Sequence, residues 1–322
     1  ARDGTGSLDA WAGGRVSERQ RAGLRRSTSP LNPELVNFSG NDYLGMSTHP
    51  RVVSAAREAL DAVGMGPRGS ALVCGYTVAH ESLEARIADH CGAESALLFP
   101  TGYAANVSAV MALAGPDCAI FSDALNHASL IDGCRLARRA GASVHIYPHL
   151  DVDALDRLLQ RCARPRRVIL TESVFSMDGH RAPLDALIAL RDRHGAWLVC
   201  DEAHATLLYD PHPAVDLHVG TLSKAVGALG GFVAGPASAR ALLLNTGRPF
   251  VFSTALPVPV VRAAEAAFEV AVDEPALRAR LAGHVARFNA RLGREGDTPI
   301  VPVILGDPDL TMEASGALRV GG

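Results

Sequence analysis

The chain has 322 residues, of which 48% are hydrophobic and 20% charged, and carries a formal net charge of −3. That length supports one large or two ordinary domains around a sizeable core. The small negative charge gives no basis for binding nucleic acid or an anionic membrane surface, and no apolar run approaches the ~20 residues of a membrane span.

Residues 1–40 have no strong period and read as an N-terminal arm. Their opening, ARDGTGSLDAW, lacks a signal-peptide core, and a cytoplasmic location is expected, with an organelle such as the peroxisome left open. HPRVVSAAREALDAVG (49–64) and AHESLEARIADHCG (79–92) follow, each with the period of an amphipathic helix. Between them lies GMGPRG (64–69), which matches G-x-G-x-x-G. A dinucleotide fingerprint needs a strand before it and a helix after it. Here it follows a helix and contains Pro67, so it reads as a close-approach loop.

From residue 95 the pattern alternates. Seven short apolar runs read as strands: SALLFP (95–100), CAIFSD (118–123), SVHIYP (143–148), RRVILTE (166–172), AWLVCDEA (196–203), VDLHVGT (215–221) and GGFVAG (230–235). Helical segments such as LDVDALDRLLQRCA and APLDALIALRDRHG separate several of them. Strand–helix alternation predicts an α/β fold with a mostly parallel seven-stranded sheet, buried on both faces. Residues 41–265 are expected to form this large domain. Residues 266–322 are expected to form a small C-terminal α/β domain, with PIVPVIL (299–305) as a strand.

The six cysteines, Cys74, Cys91, Cys118, Cys134, Cys162 and Cys200, show no C-x-x-C spacing. Neither a zinc motif nor a redox motif is expected, and no metal is assigned. Several cysteines lie in apolar segments and suit a reducing compartment.

Ligands of an open parallel sheet bind at the carboxyl ends of its strands. The polar residues there are Thr101-Gly102-Tyr103, Asp123 to His127, Glu172 to Ser176, Asp201 to His204, and Thr221 to Lys224. Lys224 stands out because it is the only lysine among 31 lysine and arginine residues. A guanidinium stays protonated, whereas an ε-amine can lose its proton and form a Schiff base. Its setting, VGTLSKAVGALGG (219–231), is a poor place for a charge that serves only solubility.

With these residues in view the chain resembles the fold-type I pyridoxal phosphate (PLP) enzymes, and within them the α-oxoamine synthases. The matching stretches are NFSGNDYLGMSTHP (37–50), GMGPRGSALVCGYTVAHESLE (64–84), LLFPTGYAAN (97–106), SDALNHASLIDG (122–133), TESVFSMDGHRAPL (171–184), LVCDEAHATLL (198–208), HVGTLSKAVGALGGF (218–232) and RPFVFSTALP (248–257). The tyrosine of CGYTVAH favours members that condense L-alanine with a pimeloyl thioester over the glycine-using ones. The resemblance implies that Lys224 holds PLP and then acts as the base, and that Asp201 pairs with the ring nitrogen. It implies that His204 bonds the ring oxygen and that His127 stacks on the ring. Ser176 would touch the ring hydroxyl or the substrate. Gly102 and Tyr103 would present N–H groups to the phosphate, with Thr221 beside them and Thr254 reaching across a homodimer interface. Asn41 and His80 would line the substrate pocket. Read as residues alone, Asn41 also suits a turn in SGNDYLG, and Thr254 an ordinary strand position.

The pattern departs from the family in three places. Ala205 stands where glycine is usual, YDPHPAVDL (209–217) is shorter than the family's loop, and no Pro-rich segment with a carboxylate-binding arginine appears by Gly322. Arg319 is not in that context. Serine palmitoyltransferase, a glycine-using synthase and a non-catalytic partner subunit are the alternatives. The retained lysine argues against the last, and a nicotinamide dehydrogenase would rest on GMGPRG alone.

Overall fold

The computed structural model describes residues 7–30 and 32–320. The chain divides into two compact units, residues 41–301 and residues 1–40 with 302–322.

All seven predicted strands form in the larger unit. They are β1 (Ser95–Phe99), β2 (Cys118–Asp123), β3 (Ser143–Tyr147), β4 (Arg166–Glu172), β5 (Trp197–Asp201), β6 (Leu217–Thr221) and β7 (Gly231–Gly235). They make one sheet in the order β1-β7-β6-β5-β4-β2-β3. β3, β2, β4, β5 and β6 run parallel, and β7 is antiparallel to both β6 and β1. Successive side chains of a strand face opposite ways, and here both faces are apolar. Leu97 and Phe99 of β1 point to one core, while Ala96 and Leu98 point to another. Cys118 and Ile120 of β2 share the first of these, and Ala119 and Phe121 face a third cluster.

The helices in chain order are α1 (Leu8–Arg21), α2 (Pro50–Val63), α3 (Val78–Cys91), α4 (Gly102–Leu113), α5 (Ala128–Arg139), α6 (Val152–Gln160), α7 (Leu184–His194), α8 (Ala237–Thr246), α9 (Arg248–Val251), α10 (Val258–Asp273), α11 (Ala276–Arg291) and α12 (Pro308–Val320). α4 and α5 cover the face lined by Leu97, Phe99, Cys118 and Ile120. α6 and α7 cover the Phe121 side, and α2, α3 and α10 pack over Leu98 and Phe232. None of the helices among the described residues is long and apolar enough to cross a membrane.

Three expectations need correction. The boundary at 265/266 falls inside α10, whose Val261, Ala264, Ala267 and Phe268 are buried in the same cluster as α2 and α3. Burial of that one apolar stripe fixes the helix in the larger unit, and Leu277 and Leu281 bring α11 with it. PIVPVIL is not a strand, because no strand edge pairs with it. Val303 and Ile304 are instead 62% and 77% exposed. The arm contains a helix, α1, capped by Ser7 accepting from the Ala10 N–H at 3.2 Å. α1 buries no residue, so its sequence shows no apolar stripe. Residues 1–6 lie outside the described residues.

The approach of β7 to the start of α4 leaves no room for a side chain. A Cβ on Gly231 would sit 2.5 Å from both the Gly102 nitrogen and the Thr101 oxygen. Both are backbone atoms, so the clash cannot relax by rotamer change. Gly231→Ala is expected to lower stability by ~1–3 kcal/mol, measured as a drop in urea midpoint. An unchanged midpoint would show that β7 has slack there.

Candidate active site

The carboxyl ends of β4, β5 and β6 are adjacent, which puts Glu172 opposite Asp201 and Asp201 opposite Val219 in register. Beyond β6 the chain turns tightly, with the Gly227 N–H donating to the Lys224 oxygen at 2.8 Å and the Ala228 N–H to the Leu222 oxygen at 2.8 Å. Gly227 has φ +70, and a Cβ there would strike the backbone at Met46 and Ser47. Glycine is therefore required for the turn that aims Lys224 inward.

The Lys224 Nζ lies 2.6 Å from His204 Nε2. His204 Nδ1 lies 2.7 Å from the Tyr43 hydroxyl, which reaches Asn41 Oδ1 at 3.3 Å. Burial, with Lys224 and His127 nearby, pushes the His204 imidazole down to about 3, so the ring is neutral. Burial also pushes the Tyr43 phenol up to about 12. This chain of four side chains is satisfied in two ways. If Lys224 is an ammonium it donates to Nε2, Nδ1–H donates to Tyr43, and Tyr43 donates to Asn41. If Lys224 is neutral, Nε2–H donates to it and Tyr43 donates to Nδ1. Either protonation state of the amine thus keeps the Lys224–His204–Tyr43 contacts; in the second, Asn41 gives up the Tyr43 proton and, being exposed, is left to solvent.

Asp201, 4% exposed, accepts from Asn106 Nδ2 at 2.6 Å and from the Ala203 N–H at 2.9 Å. Asn106 also donates to Ser129 Oγ at 2.9 Å, and Ser129 Oγ lies 2.7 Å from His127 Nδ1. His127 caps α5, which fixes its ring at the rim. Glu172 is 2% exposed. Burial first, then the Asp201 charge, pushes its carboxyl up to about 8, against hydrogen bonds from the His127 and Ser176 backbone. Its Oε2 accepts the Ser176 N–H at 3.2 Å, while Oε1 has no partner within the protein. Burial likewise lowers the Lys224 amine, and Asp201 and Glu172 oppose that shift.

These groups surround a cavity of about 190 Å³, lined among others by Thr101, Gly102, Tyr103, Asn106, Thr221 and Ser223. Gly102 begins α4, and a Cβ on it would meet Thr221 Cβ at 3.1 Å. A helix start, two hydroxyls and an amine therefore converge opposite a buried acid. That arrangement suits a flat ligand with an anionic group at one end, a basic ring atom at the other and a carbonyl facing the lysine.

The class I and II aminotransferase profile matches residues 33–319. The chain belongs to that family. It is 44% identical to the 8-amino-7-oxononanoate synthase of Anaeromyxobacter dehalogenans (strain 2CP-1 / ATCC BAA-258), over 98% of this chain and 86% of that protein. Identity is also 44% to the 8-amino-7-oxononanoate synthase of Mycobacterium sp. (strain JLS), over 97% of this chain and 86% of the relative. Among solved structures, a serine palmitoyltransferase from S. paucimobilis with PLP and myriocin bound superposes with a TM-score of 0.89 at 30% identity. That match covers 98% of this chain and 91% of the other.

Within this aminotransferase-family site, Gly102, Tyr103, His127, Asp201, Thr221 and Lys224 line one cavity. His204 joins them through Lys224, Asn41 through Tyr43, and Ser176 through its backbone on Glu172. His80 and Thr254 are placed elsewhere, on a cavity of about 20 Å³ with Tyr76 and Glu84. Both His80 nitrogens are engaged, Nδ1 with Thr77 Oγ1 at 2.9 Å and Nε2 with the Leu256 oxygen at 2.9 Å. The ring completes a capping box on α3 rather than facing Lys224. Thr254 is exposed and bridges to Ser70.

Four contributors were given no role from the sequence: Glu172, Asn106, Ser129 and Tyr43. Glu172 had a signal, since it ends a strand beside the one ending in Asp201. Asn106 and Ser129 sit inside helices, where only the fold shows that they face Asp201.

The folded, cofactor-free chain keeps the Glu172 proton to about pH 8, whereas an ordinary carboxyl loses it near 4.5. Between those values the unfolded state binds fewer protons, so this residue makes stability fall as pH rises, by up to ~1.4 kcal/mol per unit. Glu172→Gln is expected to flatten the pH–stability curve between pH 5 and 8 relative to wild type, read from urea midpoints across ~3 pH units. Parallel curves would contradict the placement of a protonated acid there.

Proposed function

We propose that this chain is a PLP-dependent 8-amino-7-oxononanoate synthase that joins L-alanine to a pimeloyl thioester in biotin biosynthesis. The observation that carries the reading is the lone lysine, half-buried in the cavity that Asp201 lines and 2.6 Å from a neutral histidine, in a chain 44% identical to synthases of that name. The site fits the cofactor. Lys224 would hold its aldehyde carbon, Asp201 its ring nitrogen, His204 its ring oxygen and His127 one ring face. The N–H groups of Gly102 and Tyr103, with Thr221 and Ser223, would take the phosphate.

When bound, PLP supplies an electron sink for the α-carbon of the amino acid. The residues then have distinct tasks. Asp201 remains able to pair with a protonated ring nitrogen because Asn106 and the Ala203 N–H hold its carboxylate in place. Lys224 Nζ takes the α-proton of alanine, and its burial-lowered basicity makes the neutral amine available nearer neutrality than in a free lysine. His204, kept neutral mainly by burial, would hold a hydrogen bond without adding charge. In the net reaction the alanine α-carbon bonds to the pimeloyl carbonyl, the thiol departs, the carboxylate leaves as CO2 and a proton returns to the α-carbon.

A homodimer with shared sites accords with Thr254, which is exposed and away from its own chain's Lys224 cavity. Six unpaired cysteines suit a reducing compartment such as the cytoplasm.

Mass spectrometry of PLP-loaded protein given L-alanine and pimeloyl-CoA is expected to detect 8-amino-7-oxononanoate, with far less condensation product from glycine or serine. Lys224→Arg should keep the fold by circular dichroism and lose turnover by roughly 10³-fold or more. A preference for serine would move the substrate to the palmitoyltransferase type, and appreciable turnover by the arginine variant would remove Lys224 from the chemistry.

A further inference from the structure

Outside the Lys224 cavity, histidine and aspartate side chains from two loops meet at one place. His149, in the loop after β3, His180 and Asp178, on the turn after β4, each present a ligand atom, and these atoms lie within 4.8 Å of one another. We infer that these three residues form a site for a divalent transition-metal ion of the zinc type, with Asp123 as the carboxylate that orients His149.

His149 is pre-set for that role. Its Nδ1 lies 2.9 Å from Asp123 Oδ1, at the end of β2. An ionised carboxylate only accepts, so Nδ1 carries the hydrogen and Nε2 keeps its lone pair. Asp123 is 2% exposed and is held by the Leu125 N–H at 2.8 Å and the Leu150 N–H at 3.0 Å. The ring also packs edge-on against Phe175, with centroids 4.4 Å apart, which restricts its rotation. A carboxylate–histidine pair with the far nitrogen free is the usual outer support of a zinc ligand.

The far nitrogen points at His180 Nδ1, 3.0 Å away. Without an ion, a hydrogen bond from His180 Nδ1–H accounts for that distance. With one, His180 takes the Nε2–H tautomer, and both facing lone pairs bind the metal. Two imidazoles each ~2.0–2.1 Å from zinc in a tetrahedron have nitrogens ~3.3 Å apart, so a small opening suffices. Asp178 supplies an oxygen, and water takes the fourth position. The turn is already fixed, by the Phe175 N–H on the His180 oxygen at 2.9 Å, the Gly179 N–H on the Phe175 oxygen at 3.0 Å and Thr298 Oγ1 on the Gly179 oxygen at 2.8 Å. Two histidines and one carboxylate select a borderline ion over magnesium or calcium. Cysteine spacing gives no hint of it, because the ligands are not cysteines. The turn also carries Ser176, whose N–H reaches Glu172, so an ion here would stiffen one wall near the reaction centre.

The test is calorimetric titration of zinc chloride into chelator-stripped, PLP-loaded full chain at neutral pH. One ion per chain is expected. His180→Ala and Asp178→Ala should each weaken binding at least ~10-fold, and Asp123→Asn ~10–100-fold. His180 is exposed, so its variant is expected to fold, with circular dichroism as the check. Cys91→Ser should bind zinc as wild type does, which separates this site from the buried Cys91, Glu202 and His218 group. Absence of binding at ~100 μM zinc would overturn the inference, since a built three-ligand site should hold the ion well below a Kd of ~1 mM. So would wild-type affinity in His180→Ala, or loss of binding in Cys91→Ser alone.

Discussion

An amine can be a nucleophile and a base only when its proton is easy to remove, and the rest of this site is arranged around that constraint. Burial makes the Lys224 proton easier to lose, while Asp201 and Glu172 pull the other way. The balance is kept by giving each acid another occupation. Asp201 is bonded to Asn106 and the Ala203 N–H, and Glu172 is held up near 8 by burial and by Asp201 itself. Neither forms an ion pair with the lysine. The nearest partner of Nζ is the neutral imidazole of His204, which can donate or accept.

The sheet supplies the positions. Parallel strands in register bring their last residues to one edge, and here those residues are Glu172, Asp201 and Thr221. The antiparallel β7 then returns the chain so closely past the head of α4 that only glycine fits at 231 and 102 contacts Thr221. Fold and site are therefore one arrangement, in which backbone proximity brings the head of α4 to Thr221 and strand register creates the acid pair.

Much of this was legible in the residues. Each of the seven strands is a short apolar run flanked by polar or glycine residues, so periodicity and length identified them. Asp201, His204, Lys224 and Gly102 lie next to strand ends and could be read with them. Asn106 and Ser129 could not, because a polar residue within a helix looks alike whether it faces water or a buried carboxylate. For His80 the motif was visible, but only the fold shows both nitrogens spent on Thr77 and Leu256. PIVPVIL has strand propensity but no edge to pair with, and α1 buries nothing that would mark it. Propensity is local, whereas pairing and burial are not.

The central claim is that one amine holds the cofactor. Having a single lysine makes this chain unusually suited to a direct test. Incubation with PLP, reduction with borohydride, proteolysis and mass spectrometry would locate the covalent label. The account predicts about one phosphopyridoxyl group per chain, on the peptide that contains Lys224. A label confined to the chain's amino terminus, or no label under conditions where PLP remains bound, would contradict it.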